Sequence, residues 1–319
     1  MTFWHKVDVS FIVVSYNYQD FIEECINSCL RQENSDLTFE VIVINDGSND
    51  NTVSVAKKYG AKHIVSHSKR KGLSEAFSTG ISECLLRGAD IIVNTDADNQ
   101  YKSKFIKELV KPIINNNAEM VIGVRNTDSI KHFSIIKKIL QKFGSFIVRK
   151  LSGTEVSDTT SGFRAISREA AFKLNKFDNY TYTLDTLIQA GHKNITVKTI
   201  SIEVNQDLRP SKLIKSNFRY VLNNAIGIIR IFLVYRPLKT FFYLGSIIFF
   251  SGVIIGLRYV YFLFNEFGEG NIQSLILSAV LLTTGFITLI LAFMADLIAS
   301  NRRLLEEITY KLNKERYKK

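Results

Sequence analysis

The sequence is poor in the residues that staple or punctuate a chain. Three cysteines in 319 residues exclude a small secreted module built on disulfides. Three prolines and 17 glycines exclude collagen-like and Pro/Gly low-complexity chains. Charge does not dominate: 22% of residues are charged and 46% are hydrophobic, too apolar a balance for disorder. Zinc-ligand spacing is also missing. Cys25 and Cys29 lie one helical turn apart, Cys84 stands elsewhere, and the five histidines form no cluster, so buried thiols in a reducing cytosol are the plainer reading. No internal repeat is visible. The opening MTFWHKVDVSF is too short and too quickly interrupted to read as a signal segment.

What is present is a contradictory pair of properties. The chain carries 41 Lys+Arg against 30 Asp+Glu, a net charge of +11, yet nearly half of it is apolar. Its length fits roughly two domains. The apolar residues concentrate in two runs, 240–264 (interrupted by Arg258) and 271–295. Each approaches or exceeds the roughly 20 residues that a helix needs to cross a bilayer core. The alternative is a pair of buried core helices, although such helices are rarely apolar on all faces for so long. Arg230, Arg236 and Lys239 precede the first run, and Arg302, Arg303, Lys311, Lys314, Arg316, Lys318 and Lys319 follow the second. The connecting loop at 265–271 holds Glu266 and Glu269 and no Lys or Arg. The positive-inside rule then puts both termini in the cytoplasm. Between Pro210 and Pro237, Lys212, Lys215 and Arg219 share a helical face opposite apolar residues. This segment, 211–236, reads as an amphipathic helix in the headgroup region, or as a helix packed on the soluble domain. Residues 134–151 have the same character. The implied organisation is a cytosolic domain over 1–210, the amphipathic segment 211–236, a membrane hairpin over 237–300 and a basic tail over 301–319. Frequent Asn, Ile and Lys point to an AT-rich prokaryotic source, and hence to a plasma membrane.

The first 210 residues read as α/β. Runs at 9–15, 39–45 and 90–96 are strand-like, with shorter ones at 62–66 and 118–124, and helix-like stretches fall at 20–32, 51–58 and 74–86. Such alternation implies a mostly parallel sheet with helices on both faces. Ligands of such sheets bind beyond the carboxyl ends of the strands. The residues there are Ser15-Tyr16-Asn17, Asn45-Asp46-Gly47-Ser48 and Asp96-Ala97-Asp98-Asn99-Gln100. Two carboxylates two residues apart, with a carboxamide, form a hard oxygen set suited to Mg²⁺ or Mn²⁺.

These motifs carry a family resemblance. FIVVSYN, INDGSNDNT, NTDADNQY, VIGVR, DTTSGFRAISREA and LRPSKL, followed by two apolar spans, resemble a family 2 glycosyltransferase of the GT-A fold. More narrowly, the chain is similar to the polyprenyl-phosphate glycosyltransferases. The resemblance implies a fold of Rossmann-like, mostly parallel sheet, then an interfacial amphipathic helix and two transmembrane helices. It implies that Tyr16 and Asp46 hold the nucleotide and that Asp96 lies near ribose and metal. By the same match, Asp98 and Gln100 ligate Mg²⁺ or Mn²⁺, with Asp96 beside them, and Arg125, Arg209 and Lys212 lie near phosphates. Asp158, Ser161 and Arg164 line the acceptor side, with Arg164 expected to grip the acceptor phosphate and Asp158 acting either as a base or structurally. Asn45 replaces the first acid of the common DDGS, so the base stays open between UDP and GDP.

The implied reaction moves a hexose from a nucleotide-diphosphate sugar onto an undecaprenyl or dolichyl phosphate, with inversion, in an integral membrane protein whose catalytic domain is cytoplasmic. The +11 then reflects topology and phosphate chemistry, with no nucleic-acid partner. Oligomeric state stays open, a homo-oligomer through the hairpin included. A processive polysaccharide synthase needs a QxxRW motif, and the one tryptophan is Trp4. Two alternatives remain: a membrane-tethered enzyme acting on a soluble or cell-envelope glycan, and a non-catalytic nucleotide-sugar-binding membrane protein, against which the intact DADNQ argues.

Overall fold

The β-branched runs form strands β1 (Val9–Ser15), β2 (Phe39–Asn45), β3 (His63–Ser66), β4 (Ile91–Asp96) and β5 (Met120–Arg125). The computed structural model describes residues 8–31, 37–125, 146, 149, 153–174, 182–205, 233–264 and 272–318. Two further strands, β6 (Arg164–Ser167) and β7 (Val197–Ile202), complete a seven-stranded sheet of order β3-β2-β1-β4-β6-β5-β7. Every pairing is parallel except those of β6, which runs antiparallel to both β4 and β5. The inner strands are nearly continuous apolar runs because both faces are covered. Phe11 and Ile12, adjacent on β1 and so on opposite faces, are both fully buried.

Helices α1 (Ile22–Leu30), α2 (Thr52–Lys58), α3 (Leu73–Leu86), α4 (Ile106–Ile114), α5 (Arg168–Lys173) and α6 (Tyr182–His192) connect the strands. In α1 the buried residues are Ile22, Cys25, Ile26 and Cys29, and in α4 they are Ile106, Leu109, Val110 and Ile113. This i, i+3, i+4, i+7 spacing is one helical stripe laid on a sheet. Both stripes join Val9, Phe11 and Val13 in one core. Helix α3 packs elsewhere on β1, where Gly80 permits the approach: a Cβ there would lie 2.6 Å from Ile12 Cγ2. Ser167 Oγ caps α5 by accepting from Ala170 N at 3.1 Å.

The chain divides into two units, residues 1–221 with 309–319, and residues 222–308. The second contains most of two long helices, α7 (Pro237–Phe264) and α8 (Ile272–Arg316). Both are long and apolar enough to cross a membrane. Their large apolar side chains, such as Ile247, Ile254, Phe286 and Met294, are exposed, the opposite of what buried core helices would show. Small residues line their mutual contact. Ser278 Oγ donates to Gly252 O at 2.8 Å, and a Cβ on Gly285 would lie 2.6 Å from Phe249 N. Close backbone approach through small residues is how helices pack where lipid removes the hydrophobic drive.

The residues expected as a basic tail, 301–319, continue α8 as far as Arg316. No glycine or proline follows Gly285, so nothing stops the helix before Arg316. Residues 309–318 pack on α5. Arg168 Nη2 donates to Tyr317 O at 2.7 Å and Nη1 to Ala89 O at 2.9 Å. The Phe172 and Tyr317 rings stack at 6.2 Å, and the Tyr310 hydroxyl donates to Glu169. The expected amphipathic segment 211–236 lies outside the described residues except for 233–236, as do 134–151 (apart from 146 and 149) and the 265–271 loop. Deleting residues 309–319 removes the ring stack and the Arg168 bond, worth ~2 kcal/mol together. The melting temperature of the sheet domain is expected to fall by about 4–8 °C, measured by thermal denaturation in detergent.

Candidate active site

The reversed strand β6 decides what gathers at the carboxyl edge. Its first residue, Arg164, pairs with Asn94 of β4 and Ile122 of β5. The segment leading into β6, Asp158–Phe163, therefore meets the ends of β4 and β5, which carry Asp96 and Arg125.

Arg125 and Asp158 form a bidentate ion pair, with Nε to Oδ2 at 2.7 Å and Nη2 to Oδ1 at 3.2 Å. Asp158 Oδ1 also accepts from Thr160 N at 3.2 Å and Thr160 Oγ1 at 2.9 Å, and Oδ2 from Arg125 N at 3.3 Å. Burial raises the Asp158 pKa, but the Arg125 hydrogen bonds and charge outweigh it and hold the carboxyl below its ordinary value. Both oxygens of this carboxylate are thus engaged by donors within the protein. Of the two roles open to Asp158, this geometry fits the structural one, in which it aims Arg125.

Asp96 is packed against Gly162. A Cβ on Gly162 would lie 2.9 Å and 3.1 Å from the two carboxylate oxygens and 3.0 Å from Tyr182 Oη. The Tyr101 hydroxyl bonds Asp96 and accepts from Gly162 N at 3.1 Å. Asn94 Nδ2 donates to Gly162 O at 2.7 Å and to Tyr182 Oη at 3.1 Å. Burial, then repulsion from Asp98, raises Asp96 to a pKa of about 6, partly opposed by Arg125 and Tyr101. Asp98 and Gln100 follow on one turn, where Gln100 N donates to Asp98 Oδ1 at 3.2 Å. Among the described residues no three His, Cys, Asp or Glu side chains converge as a preformed cage. The donor set still fits Mg²⁺ or Mn²⁺: two neighbouring carboxylates, one held above its ordinary pKa by burial and then by the other, gain from a cation between them.

Arg164 departs from its expected role. It is fully buried, and its guanidinium donates to Ser161 O at 2.8 Å, Thr183 O at 2.7 Å and Thr159 O at 3.1 Å, and to the Thr186 hydroxyl. Burial lowers its pKa to about 10, so it stays charged near neutrality. With its donors directed at protein oxygens, it fixes the 159–161 turn and does not offer itself to an acceptor phosphate. Ser161 is likewise buried.

Asp46, which follows β2, is engaged within the protein. Its carboxylate is buried and accepts from Lys71 N at 2.8 Å and Gly72 N at 2.9 Å, with His67 Nδ1 at 2.8 Å. It anchors the 67–72 loop. Gly47, at φ +74°, admits the same loop, since a Cβ there would meet Arg70 N at 2.8 Å. The loop in turn lays the Arg70 guanidinium over the half-buried Tyr16 ring at 4.4 Å. Arg209 and Lys212 lie outside the described residues.

Sequence reasoning missed Tyr101 and Tyr182. Tyr101 directly follows DADNQ and was legible as a neighbour, whereas Tyr182 has no local signal.

Residues 10–174 match Glycosyl transferase family 2. The chain is 29% identical over 213 residues to the UDP-N-acetylglucosamine–dolichyl-phosphate N-acetylglucosaminyltransferase of Methanococcus voltae, covering 60% of this chain and 83% of that one. It is 29% identical over 252 residues to a dolichyl-phosphate beta-glucosyltransferase of Trichomonas vaginalis, covering 72% and 75%. Among solved structures, glucosyl-3-phosphoglycerate synthase from Mycobacterium tuberculosis, in complex with Mn²⁺, uridine diphosphate and phosphoglyceric acid, superposes with a TM-score of 0.53 at 20% identity, covering 70% of this chain and 78% of that one. The likeness at that identity establishes the shared GT-A fold.

The raised pKa of Asp96 predicts a pH signature. An acid titrating higher in the folded state stabilises it fully below the unfolded value near 3.9, and this contribution is lost as pH rises through about 6. Metal-free protein in chelator should therefore show a melting temperature that falls between pH 4 and pH 6.5, and Asp96→Asn should flatten that slope. Gly162→Ala should displace Asp96 and reduce turnover by at least about ten-fold, about 1.4 kcal/mol of barrier, in steady-state assays.

Proposed function

The chain belongs to glycosyl transferase family 2, and from that premise we propose that it transfers a hexose from a UDP- or GDP-linked sugar to a polyprenyl phosphate, undecaprenyl or dolichyl, at the cytoplasmic face of a membrane. One observation carries this reading. A sheet-edge site pairing the Asp96–Asp98 carboxylates with an Arg125 held by Asp158 occurs in a chain with two helices of membrane-spanning length.

The donor diphosphate departs once its charge is neutralised. Asp98 and Gln100, with Asp96 beside them, would hold Mg²⁺ or Mn²⁺, which supplies charge neutralisation to the departing diphosphate. Arg125 is a preorganised cation for the same charge, because the Asp158 fork fixes its plane before substrate arrives. Tyr16 and Arg70 offer a ring and a guanidinium at the end of β1 for the nucleotide. Arg209 and Lys212 follow Asn205, which is bonded to the Asp96–Gln100 turn, and we assign them to phosphate contact.

The acceptor explains why a base is dispensable. A lipid phosphate is already an anion at neutral pH, with a second pKa near 6 by analogy with phosphorylated side chains. Its oxygen forms the new bond to the anomeric carbon as the bond to the diphosphate breaks, and a single displacement inverts the centre. Asp158, the carboxylate closest to Arg125, is then free to be purely a positioning group. The relatives named for dolichyl-phosphate transfer support this acceptor class. The Lys and Arg flanking the spans support cytoplasmic termini.

The test is transfer of isotope from a panel of nucleotide sugars to polyprenyl phosphates in membranes. Label in the lipid extract is the expected result; label only in soluble glycan, or none with any donor, contradicts the reading. Asp98→Ala should reduce transfer by about 10²-fold or more with an unchanged melting profile, and a folded variant with wild-type turnover would contradict the metal assignment.

A further inference from the structure

The turn that follows β4 is held from two sides. On one side α1 contributes Cys25 Sγ, which donates to Asp96 O at 3.4 Å, and Ser28 Oγ, which donates to Asn99 Oδ1 at 3.1 Å. On the other side is the short segment leaving β7. Val204 forms an antiparallel bridge with Tyr101, and Asn205 closes on the two carbonyls just before it. Asn205 Nδ2 donates to Asn99 O at 2.8 Å, and Asn205 N donates to Gln100 O at 2.8 Å.

Asn99 is the strained point of this turn. Its φ is +52°, in the left-handed region, and the residue is buried. A buried carbonyl at such a position needs a partner. Asp98 and Gln100 stand on either side of it, and the orientation of both depends on how Asn99 is held. The backbone bond from position 205 can be made by any residue except proline. The side-chain bond needs an amide at this reach.

We propose that Asn205 is a positioning residue for the cation site, fixing the Asp98–Gln100 turn through consecutive hydrogen bonds to Asn99 O and Gln100 O. This rests on the reading that Asp98 and Gln100 hold Mg²⁺ or Mn²⁺. Asn205 touches neither the cation nor the substrate. Its effect is transmitted by the turn, as with partners outside the ligand set of other metal sites.

Two substitutions separate this role from general stability. Asn205→Ala removes the side-chain donor and keeps the backbone bond. Asn205→Asp keeps the shape and places an acceptor against the Asn99 carbonyl. The full-length protein and both variants are titrated with Mn²⁺ in the presence of UDP or GDP, reading free Mn²⁺ by electron paramagnetic resonance. Amide exchange at residues 98–101 is measured in parallel without metal. The dissociation constant for Mn²⁺ is expected to rise about ten-fold in Asn205→Ala and further in Asn205→Asp, with faster exchange at 98–101 and little change in exchange of β1 and β2. Mn²⁺ binding within two-fold of wild type in both variants overturns the proposal, whatever exchange shows. Unchanged exchange at 98–101 overturns it too. Failure of the wild type to bind Mn²⁺ with either nucleotide would overturn the cation reading itself, whereas the exchange result judges the grip of Asn205 on the turn independently.

Discussion

One reversed strand organises the site. In a sheet of otherwise parallel strands, β6 enters between β4 and β5 from the carboxyl edge. Its approach segment therefore lies where the other strands end. That places Gly162 against Asp96 and Asp158 against Arg125. Had β6 run parallel, the SGFR segment would have begun at the opposite edge, and Arg125 would lack its carboxylate.

The charges at this edge have opposite fates, and the difference is mechanistically useful. Asp158 is neutralised by Arg125 and is locked. Asp96 is buried, and lies near Asp98 with only partial compensation, so its pKa is raised to about 6. One acid thus positions a cationic side chain, and the other leaves an unmet demand for positive charge. A buried ion pair of this geometry loses several kcal/mol if one partner is removed, because the other is left desolvated. Arg164 follows the same economy of burial. Its charge is held by backbone and hydroxyl oxygens, and it shapes the turn that presents Gly162 to Asp96.

Much of this was legible in the sequence. The β-branched runs and the helix-like stretches between them located β1 to β5 and α1 to α3 within a few residues, because strands covered on both faces must be apolar. The DADNQ turn and VIGVR fall at the carboxyl ends of β4 and β5, as strand-end motifs should. Two things were not legible. Four-residue β6 carries one charged residue and sits in a motif read for chemistry, so its strand character and direction were hidden. The engagement of Asp46 and Arg164 depends on segments well removed in sequence, the His67–Gly72 loop and the first turn of α6 at Thr183–Thr186. A motif tells which residues gather, but not which of them are already satisfied. The basic residues of 301–319 said nothing of the contact that Tyr317 makes with Arg168 at the end of α8.

The account stands or falls on Asp158 acting through Arg125. A double-mutant cycle of Asp158→Asn and Arg125→Gln, read as kcat/KM for sugar transfer, tests this directly. If Asp158 serves only to aim Arg125, the double variant should be about as slow as Arg125→Gln alone, a coupling of at least about 1–3 kcal/mol. Strictly multiplicative losses would mean that Asp158 contributes independently, as a base or a ligand, and would contradict the account.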